Sequence, residues 1–211
     1  MKPLGGTLLQ KVLGWFCVIG GLLWGIKPLY DALVNGRRLN QGYIPSDPTD
    51  YISFIFPLLC ISGLLAIYSL YKKEVRSSVI ILITSIILSA LFNFSEIYLY
   101  GSELPFGLLF LFTGTICMII GSFYLYLQFK KARVTKNLLS WTSIVLFIDN
   151  ILLVVLAFLS GVLPKDINDP LMAFLLVSVG FIWAIFGIAT LRLDKYYTVK
   201  TSNNFKDSHQ P

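Results

Sequence analysis

An aspartate and an asparagine lie side by side in the middle of a long apolar segment. Asp149 and Asn150 are at the centre of residues 138–161, a run long enough to cross a bilayer as a helix. About fifteen Leu, Ile, Val and Phe residues favour insertion by roughly 0.3 to 0.6 kcal/mol each, which outweighs about 3 kcal/mol for one central Asp. We therefore expect the segment to insert with the acid facing protein or water. A carboxyl group in that position is suited to holding a proton or an ion.

A second group of polar residues follows the helical repeat in the apolar segment 78–100. The group comprises Ser78, Ser85, Ser89, Asn93, Glu96 and Tyr100, whose spacing places them on one face of a helix. Because polar side chains in hydrocarbon need polar neighbours or water, we expect this face and the Asp149 segment to face each other or a shared cavity. In such a path Asp149 is the central group near the midplane, and Glu96 lies at the external mouth.

These polar residues have two interpretations that the sequence leaves open. In the first, Asp149 is the central group of a protonatable or ion-coordinating path. In the second, Asp149, Asn150 and Asn93 form hydrogen bonds between helices that hold a bundle in register, at about 0.6 to 2 kcal/mol per contact. The sequence offers no Lys or Arg deep in a predicted span as an ion partner for Asp149, so we expect the acid to be protonated.

The composition indicates an integral membrane protein. Of the 211 residues, 56% are hydrophobic and 13% are charged, whereas soluble domains have about 25% charged residues. Apolar runs at residues 8–27, 50–71, 78–100, 105–129, 138–161 and 170–191 predict an all-α, polytopic integral membrane protein with a six-transmembrane-helix bundle. The bundle is expected to form one domain over residues 1–192, followed by a polar cytoplasmic tail, 193–211, that is predicted to be disordered.

Prolines add detail to these predicted boundaries. Helical spacing continues past Pro28, which suggests that the first helix extends beyond residue 27. Asp47 and Pro48 are typical of an N-cap and a first helical position, and Pro57 predicts a kink in the second helix. Asp169 and Pro170 predict the start of the last helix in the same way.

The basic residues act as topology signals. If both termini and the second and fourth connections lie on one side, that side receives most of the 17 Lys and Arg residues. We therefore expect a multi-pass protein of the cell membrane with N- and C-termini cytoplasmic. The net charge of +6 is explained by these clusters, so no nucleic-acid partner is expected. On the other side, Lys27, Arg37 and Arg38 are expected to lie in a solvated loop or to contact an anionic ligand or lipid headgroups.

The remaining reactive residue types do not suggest catalysis or a cofactor. The three cysteines, Cys17, Cys60 and Cys117, lie in separate apolar runs, and the one histidine, His209, lies in the tail. Nucleotide-binding and hydrolase motifs are missing from the sequence. We therefore expect no enzyme activity, no metal and no cofactor. Small residues recur at helical spacing in three of the runs, which is typical of close helix packing.

Two functions from different classes fit this sequence. The first is a permease-like protein for a small solute or ion, with Asp149 as the central protonatable group. The residues expected to line its polar path are Ser85, Ser89, Asn93, Glu96, Asp149 and Asn150. The alternative is a non-catalytic membrane partner, such as a regulatory, immunity or assembly subunit. In both cases the chain contacts the lipid bilayer, and a homo-oligomer or a membrane protein partner is compatible with it.

Overall fold

The computed structural model describes residues 8–33, 48–98, 106–131, 138–160 and 162–192. These residues form seven α-helices and no strand: α1 Leu8–Leu33, α2 Pro48–Ile52, α3 Ile55–Tyr71, α4 Arg76–Tyr98, α5 Phe106–Lys131, α6 Leu138–Leu159 and α7 Lys165–Leu191. Six segments among them are long and apolar enough to cross a membrane, the short α2 forming one of these together with α3. The predicted all-α six-helix bundle is confirmed. The predicted tail, 193–211, lies outside the described residues.

The six long helices pack in a closed series. Each of α3, α4, α5, α6 and α7 packs against the one before it, α1 packs against α3 and α7, and α3 also contacts α7. The interior is filled by large side chains with almost no exposure, among them Leu82, Leu125, Phe129 and Trp183. Large apolar side chains such as Phe158, which is 73% exposed, cover the outside. An apolar exterior over the length of every long helix is the surface that a lipid environment requires.

Glycines bring α1 and α7 into close contact. A Cβ atom at Gly25 would lie 3.0 Å from the Val177 carbonyl oxygen, and one at Gly187 would lie 2.7 Å from the Val18 nitrogen. Gly21 and Gly180 oppose each other in the same contact, with 2.7 Å between a Cβ built on Gly21 and the Gly180 oxygen. Backbone therefore packs on backbone along this seam, and side chains larger than hydrogen have no room there.

Helices α2 and α3 are interrupted at Ser53 and Phe54, about one turn before Pro57, which lies in the first turn of α3. Proline lacks the N–H that would bond the carbonyl four residues earlier, which here belongs to Ser53, and its ring clashes with that carbonyl. The Ser53 oxygen instead accepts the Phe56 N–H at 3.2 Å, and the Ser53 hydroxyl donates to the Asp50 oxygen at 2.9 Å. The proline that predicts a kink is thus accompanied by a two-residue interruption of the helix, within a segment that still forms one span.

The last helix begins earlier than its sequence predicts. The expected start at residue 170 is wrong, because α7 begins at Lys165 with Pro164 as its N-cap, and Pro170 lies inside it. The Pro164 oxygen accepts the N–H groups of Ile167 and Asn168, so the helix is already formed before Pro170. A proline at the sixth helical position interrupts one backbone hydrogen bond, with the carbonyl of residue 166, and the helix tolerates it.

The other helix boundaries differ from the predicted ones by small amounts. Helix α1 continues past Pro28 to Leu33, in agreement with the apolar spacing. Helix α4 begins two residues before 78, α5 ends two residues after 129, and α6 ends two residues before 161. A single 3₁₀ turn, Lys72–Glu74, joins α3 to α4.

Candidate functional site

Asp149 lies on the buried face of α6. The apolar side chains of Leu139, Leu146 and Leu156 mark that face, and Asp149 shares it with an exposure of 7%. On the opposite face Ile148 is 49% exposed. The 3.6-residue repeat of the helix therefore turns the acid away from the lipid-facing surface and toward the other helices.

Ser178 of α7 is the hydrogen-bond partner of Asp149. Its hydroxyl contacts Asp149 Oδ1, and the same Oγ lies 2.8 Å from the Leu175 carbonyl oxygen, three residues earlier in α7. Asp149 Oδ2 is buried and has no hydrogen-bond partner among the residues that the structure describes. The sequence pattern does not single out Ser178, because a lone serine in an apolar helix is ordinary.

Asn150 does not take part in this contact. Its Nδ2 donates to the Leu146 carbonyl oxygen at 2.8 Å, within α6 itself. Although Asn150 is adjacent to Asp149 in sequence and is 4% exposed, its amide is held by its own helix. The structure thus places the two predicted residues together on α6 but gives them different partners.

The polar face of α4 is directed at other partners. Ser85 Oγ donates to the Gly114 oxygen of α5 at 2.7 Å, and Ser89 Oγ donates to the Ser85 oxygen at 3.0 Å. Asn93 is half-buried, and Glu96 belongs to α4 by its backbone, while its side chain lies outside the described atoms. These hydroxyl groups already have acceptors in the backbone of α4 and α5.

The structure does not pack α4 and α6 against each other in the way the polar pattern suggested. Helix α4 packs against α3 and α5, and α6 packs against α5 and α7. Short connections make consecutive helices neighbours, so α5 takes the position next to both. Ser85, Ser89 and Asn93 are therefore not brought to Asp149, which meets α7 instead.

A buried ion pair joins α1 to α2. Lys27 Nζ lies 2.5 Å from Asp50 Oδ1, and the two side chains are 10% and 0% exposed. Lys27 Nζ also lies 5.9 Å from the centroid of the Tyr30 ring. The expectation that Lys27 lies in a solvated loop is wrong, because Lys27 belongs to α1, within the span Leu8–Tyr30, and its side chain is packed inside the protein.

The helical repeat of α1 explains this position of Lys27. Three earlier residues of α1 contact α3 in succession: Gln10 Nε2 donates to Ser69 Oγ at 3.4 Å, the Leu13 oxygen accepts from Ser62 Oγ at 2.8 Å, and Gly20 packs against Leu59. Lys27 follows Gly20 by seven residues, so it lies on the same face. This spacing was the signal available in the sequence. The spacing predicts a buried Lys27 only when α3 is known to pack against this face of α1.

The Lys27 pair and the Asp149 contact lie at similar depth in the bundle. Gly25 packs against Val177 and Phe181, which flank Ser178 in α7. The turn of α1 that carries Lys27 is therefore within about one helical turn of the level of Ser178. Lys27 is on the face of α1 toward α3, whereas Ser178 reaches α6, so the two sites occupy neighbouring sectors of the bundle.

Another buried polar atom lies in the interior. Trp183 is fully buried and packs edge-on against Phe186, with ring centroids 5.1 Å apart. Its Nε1 has no hydrogen-bond acceptor among the described residues, while its backbone oxygen accepts the Cys17 thiol at 3.4 Å. The indole N–H is thus a donor inside the bundle that the sequence pattern did not indicate.

Comparisons with protein-family models, with curated proteins and with solved structures found no match. Within the described part of the chain, no group of three or more His, Cys, Asp or Glu residues is placed to hold a metal ion. The fold defines the chain as an all-α membrane protein, and its function is argued below from the chemistry of Asp149 and its surroundings.

Proposed function

We propose that the protein is a multi-pass permease of the cell membrane that moves a small solute or ion, with Asp149 as its central protonatable group and both termini in the cytoplasm. One observation carries the proposal: Asp149 is buried in the middle of an apolar helix, and one of its oxygens has no partner among the described residues. An acid at that depth costs about 3 kcal/mol, and intramembrane acids characteristically mark proton and ion paths.

The contacts support a narrower polar path than the sequence predicts. The Ser85 hydroxyl bonds a carbonyl of α5 and the Ser89 hydroxyl bonds a carbonyl of its own helix, so both are engaged with backbone. Ser178, by contrast, contacts the acid directly from another helix. The proposed site is therefore the α6–α7 contact around Asp149, and the face of α4 that includes Asn93 and Glu96 is not part of it.

The test is solute-driven proton movement in proteoliposomes that contain the purified full-length chain and a pH-sensitive dye. Amino acids, monosaccharides and inorganic cations are added in turn, and we expect at least one class to change the internal pH. Asp149→Asn should abolish that change, because an amide cannot release a proton at this position. Ser89→Ala is the matched control and should keep it. Solute-driven proton movement that persists in Asp149→Asn would refute the assignment.

A second candidate function is supported by a specific feature of the structure. The Ser85 hydroxyl bonds the backbone of α5, and glycines hold α1 against α7, so many polar and small residues act in helix packing. A non-catalytic membrane partner requires no more than this, and the Asp149–Ser178 contact would then set the register of α6 and α7. In that case the chain, tagged and purified in mild detergent from its native membrane, should carry one partner in fixed stoichiometry. Asp149→Asn should reduce the partner's yield without any effect on proton movement.

A further inference from the structure

Ser178 has one hydroxyl hydrogen and two oxygen neighbours. Its Oγ is within hydrogen-bond distance of both Asp149 Oδ1 and the Leu175 carbonyl oxygen. A serine hydroxyl donates one hydrogen bond and can accept two, whereas a carbonyl oxygen and an ionised carboxylate only accept. If Asp149 were ionised, one of these two contacts would contain no hydrogen. If Asp149 carries a proton, both contacts have one.

The environment of the second oxygen of Asp149 also indicates that the acid is protonated. Asp149 Oδ2 is buried and has no partner in the described residues. In an anion the charge is shared by both oxygens, so leaving one of them buried and unpartnered is costly. In a neutral acid that oxygen is an uncharged carbonyl, for which the penalty is smaller.

The charged residues of the helices that pack against α6 are at the ends of those helices. Helix α6 has no other charged residue, and α5 and α7, which pack against it, carry theirs at their ends. These are Lys130 and Lys131 on α5 and Lys165, Asp166 and Asp169 on α7, of which Asp169 is more than two helical turns from Ser178. The titratable thiol of Cys117 on α5 is half-buried, and Lys27 on α1 is paired with Asp50.

We infer that Asp149, Ser178 and the Leu175 carbonyl form a proton-loaded relay in which the Ser178 hydroxyl reverses direction when Asp149 releases its proton. In the loaded state the Asp149 O–H donates to Ser178 Oγ, and the Ser178 O–H donates to the Leu175 oxygen. On release, the proton on Asp149 Oδ1 passes to a water molecule that reaches the site, and the Ser178 O–H rotates to donate to Asp149 Oδ1. The Leu175 carbonyl oxygen then loses the hydrogen bond from the Ser178 hydroxyl and retains only the backbone hydrogen bond of the helix.

The reversal connects the charge of Asp149 to the shape of α7. Serine hydroxyls that bond a carbonyl in the preceding turn bend helices, so the loss of the Ser178–Leu175 bond changes the bend at this point. The affected turn is next to Gly180, where α7 packs closely on Gly25 of α1. The inference rests on the proposed function and deepens it: the coupling ion is a proton, and Ser178 is the positioning residue that transmits its release to the α1–α7 seam.

The test is infrared difference spectroscopy of the reconstituted full-length protein with isotope-labelled aspartate, in which Asp149→Asn identifies the carboxyl band of Asp149. We expect a protonated carboxyl band at neutral pH. Ser178→Ala and Ser178→Val should shift that band to higher frequency, because the acid loses its acceptor. Ser178→Thr should keep the original position, since threonine retains the hydroxyl group, whereas valine has the same shape with a methyl group in its place. The Thr–Val comparison keeps the test decisive if the alanine variant does not fold.

Thr190→Val is the matched control. Thr190 lies on the same helix, its hydroxyl donates to the carbonyl three residues earlier at 2.6 Å, and it is distant from Asp149. This variant should leave the band unchanged. The relay is overturned if Asp149 shows no protonated band at neutral pH, or if the band is at the same position in the valine and threonine variants.

The outcomes separate the relay from the proposed transport function. A band that responds to Ser178 in a protein without solute-driven proton movement would support the relay and refute transport. Proton movement that requires Asp149, together with a carboxyl band whose position is the same in all Ser178 variants, would support transport and refute the relay.

Discussion

Removing one member of the Lys27–Asp50 ion pair should strongly destabilise the protein. The two charged atoms are 2.5 Å apart, and the side chains are 10% and 0% exposed, so water screens the pair little and each charge stabilises the other. Breaking a buried pair by removing one partner costs about 3 to 5 kcal/mol, because an uncompensated charge remains inside. We expect a loss of this size in the free energy of unfolding for Lys27→Met and, separately, for Asp50→Leu.

The double variant distinguishes this explanation from simple loss of packing. Replacing a buried pair with apolar residues of similar volume is often neutral or stabilising, so Lys27→Met with Asp50→Leu should recover most of the stability lost by either single variant. The assay is equilibrium unfolding in mixed micelles of a mild detergent and sodium dodecyl sulfate, analysed as a double-mutant cycle. Lys130→Met, on an exposed residue, is the control and should change stability by no more than about 0.5 kcal/mol. Single-variant losses that simply add in the double variant would refute the reasoning.

Two further predictions concern helix packing. Gly180→Ala should separate α1 from α7 and lower the free energy of unfolding by about 1 to 3 kcal/mol, whereas Gly114→Ala, whose Cβ would lie 3.2 Å from a Leu88 side-chain carbon, should cost less in the same assay. Equal losses in the two variants would contradict the backbone contact at Gly180. Ser85→Ala should cost about 1 kcal/mol, because the Gly114 oxygen loses a donor, and the infrared band of Asp149 should not change. A shifted band would mean that α4 does reach the acid.

The six-helix, all-α architecture was predictable because insertion into a bilayer depends on local composition. Each apolar run has to satisfy its own backbone within one helix, so length and hydrophobicity are sufficient to locate it. The inward position of Asp149 follows from the same argument, since one face of α6 is apolar and exposed along its length. The break before Pro57 is also local, because it results from one missing N–H and one clash within four residues.

Helix partners and the register between helices were decided by the tertiary structure. Asp149 meets Ser178, and Lys27 meets Asp50, because glycines let α1 approach α7 and because consecutive helices pack together. Pairings of this kind depend on two faces that are distant in sequence, and the helical repeat of either helix alone does not specify its partner. The polar face of α4 illustrates the point: its spacing showed that Ser85 and Ser89 share one face, and the position of α5 decided that Ser85 contacts the Gly114 carbonyl and not the acid. Spacing along one helix reveals which residues share a face, and only the packing of all the helices reveals what that face meets.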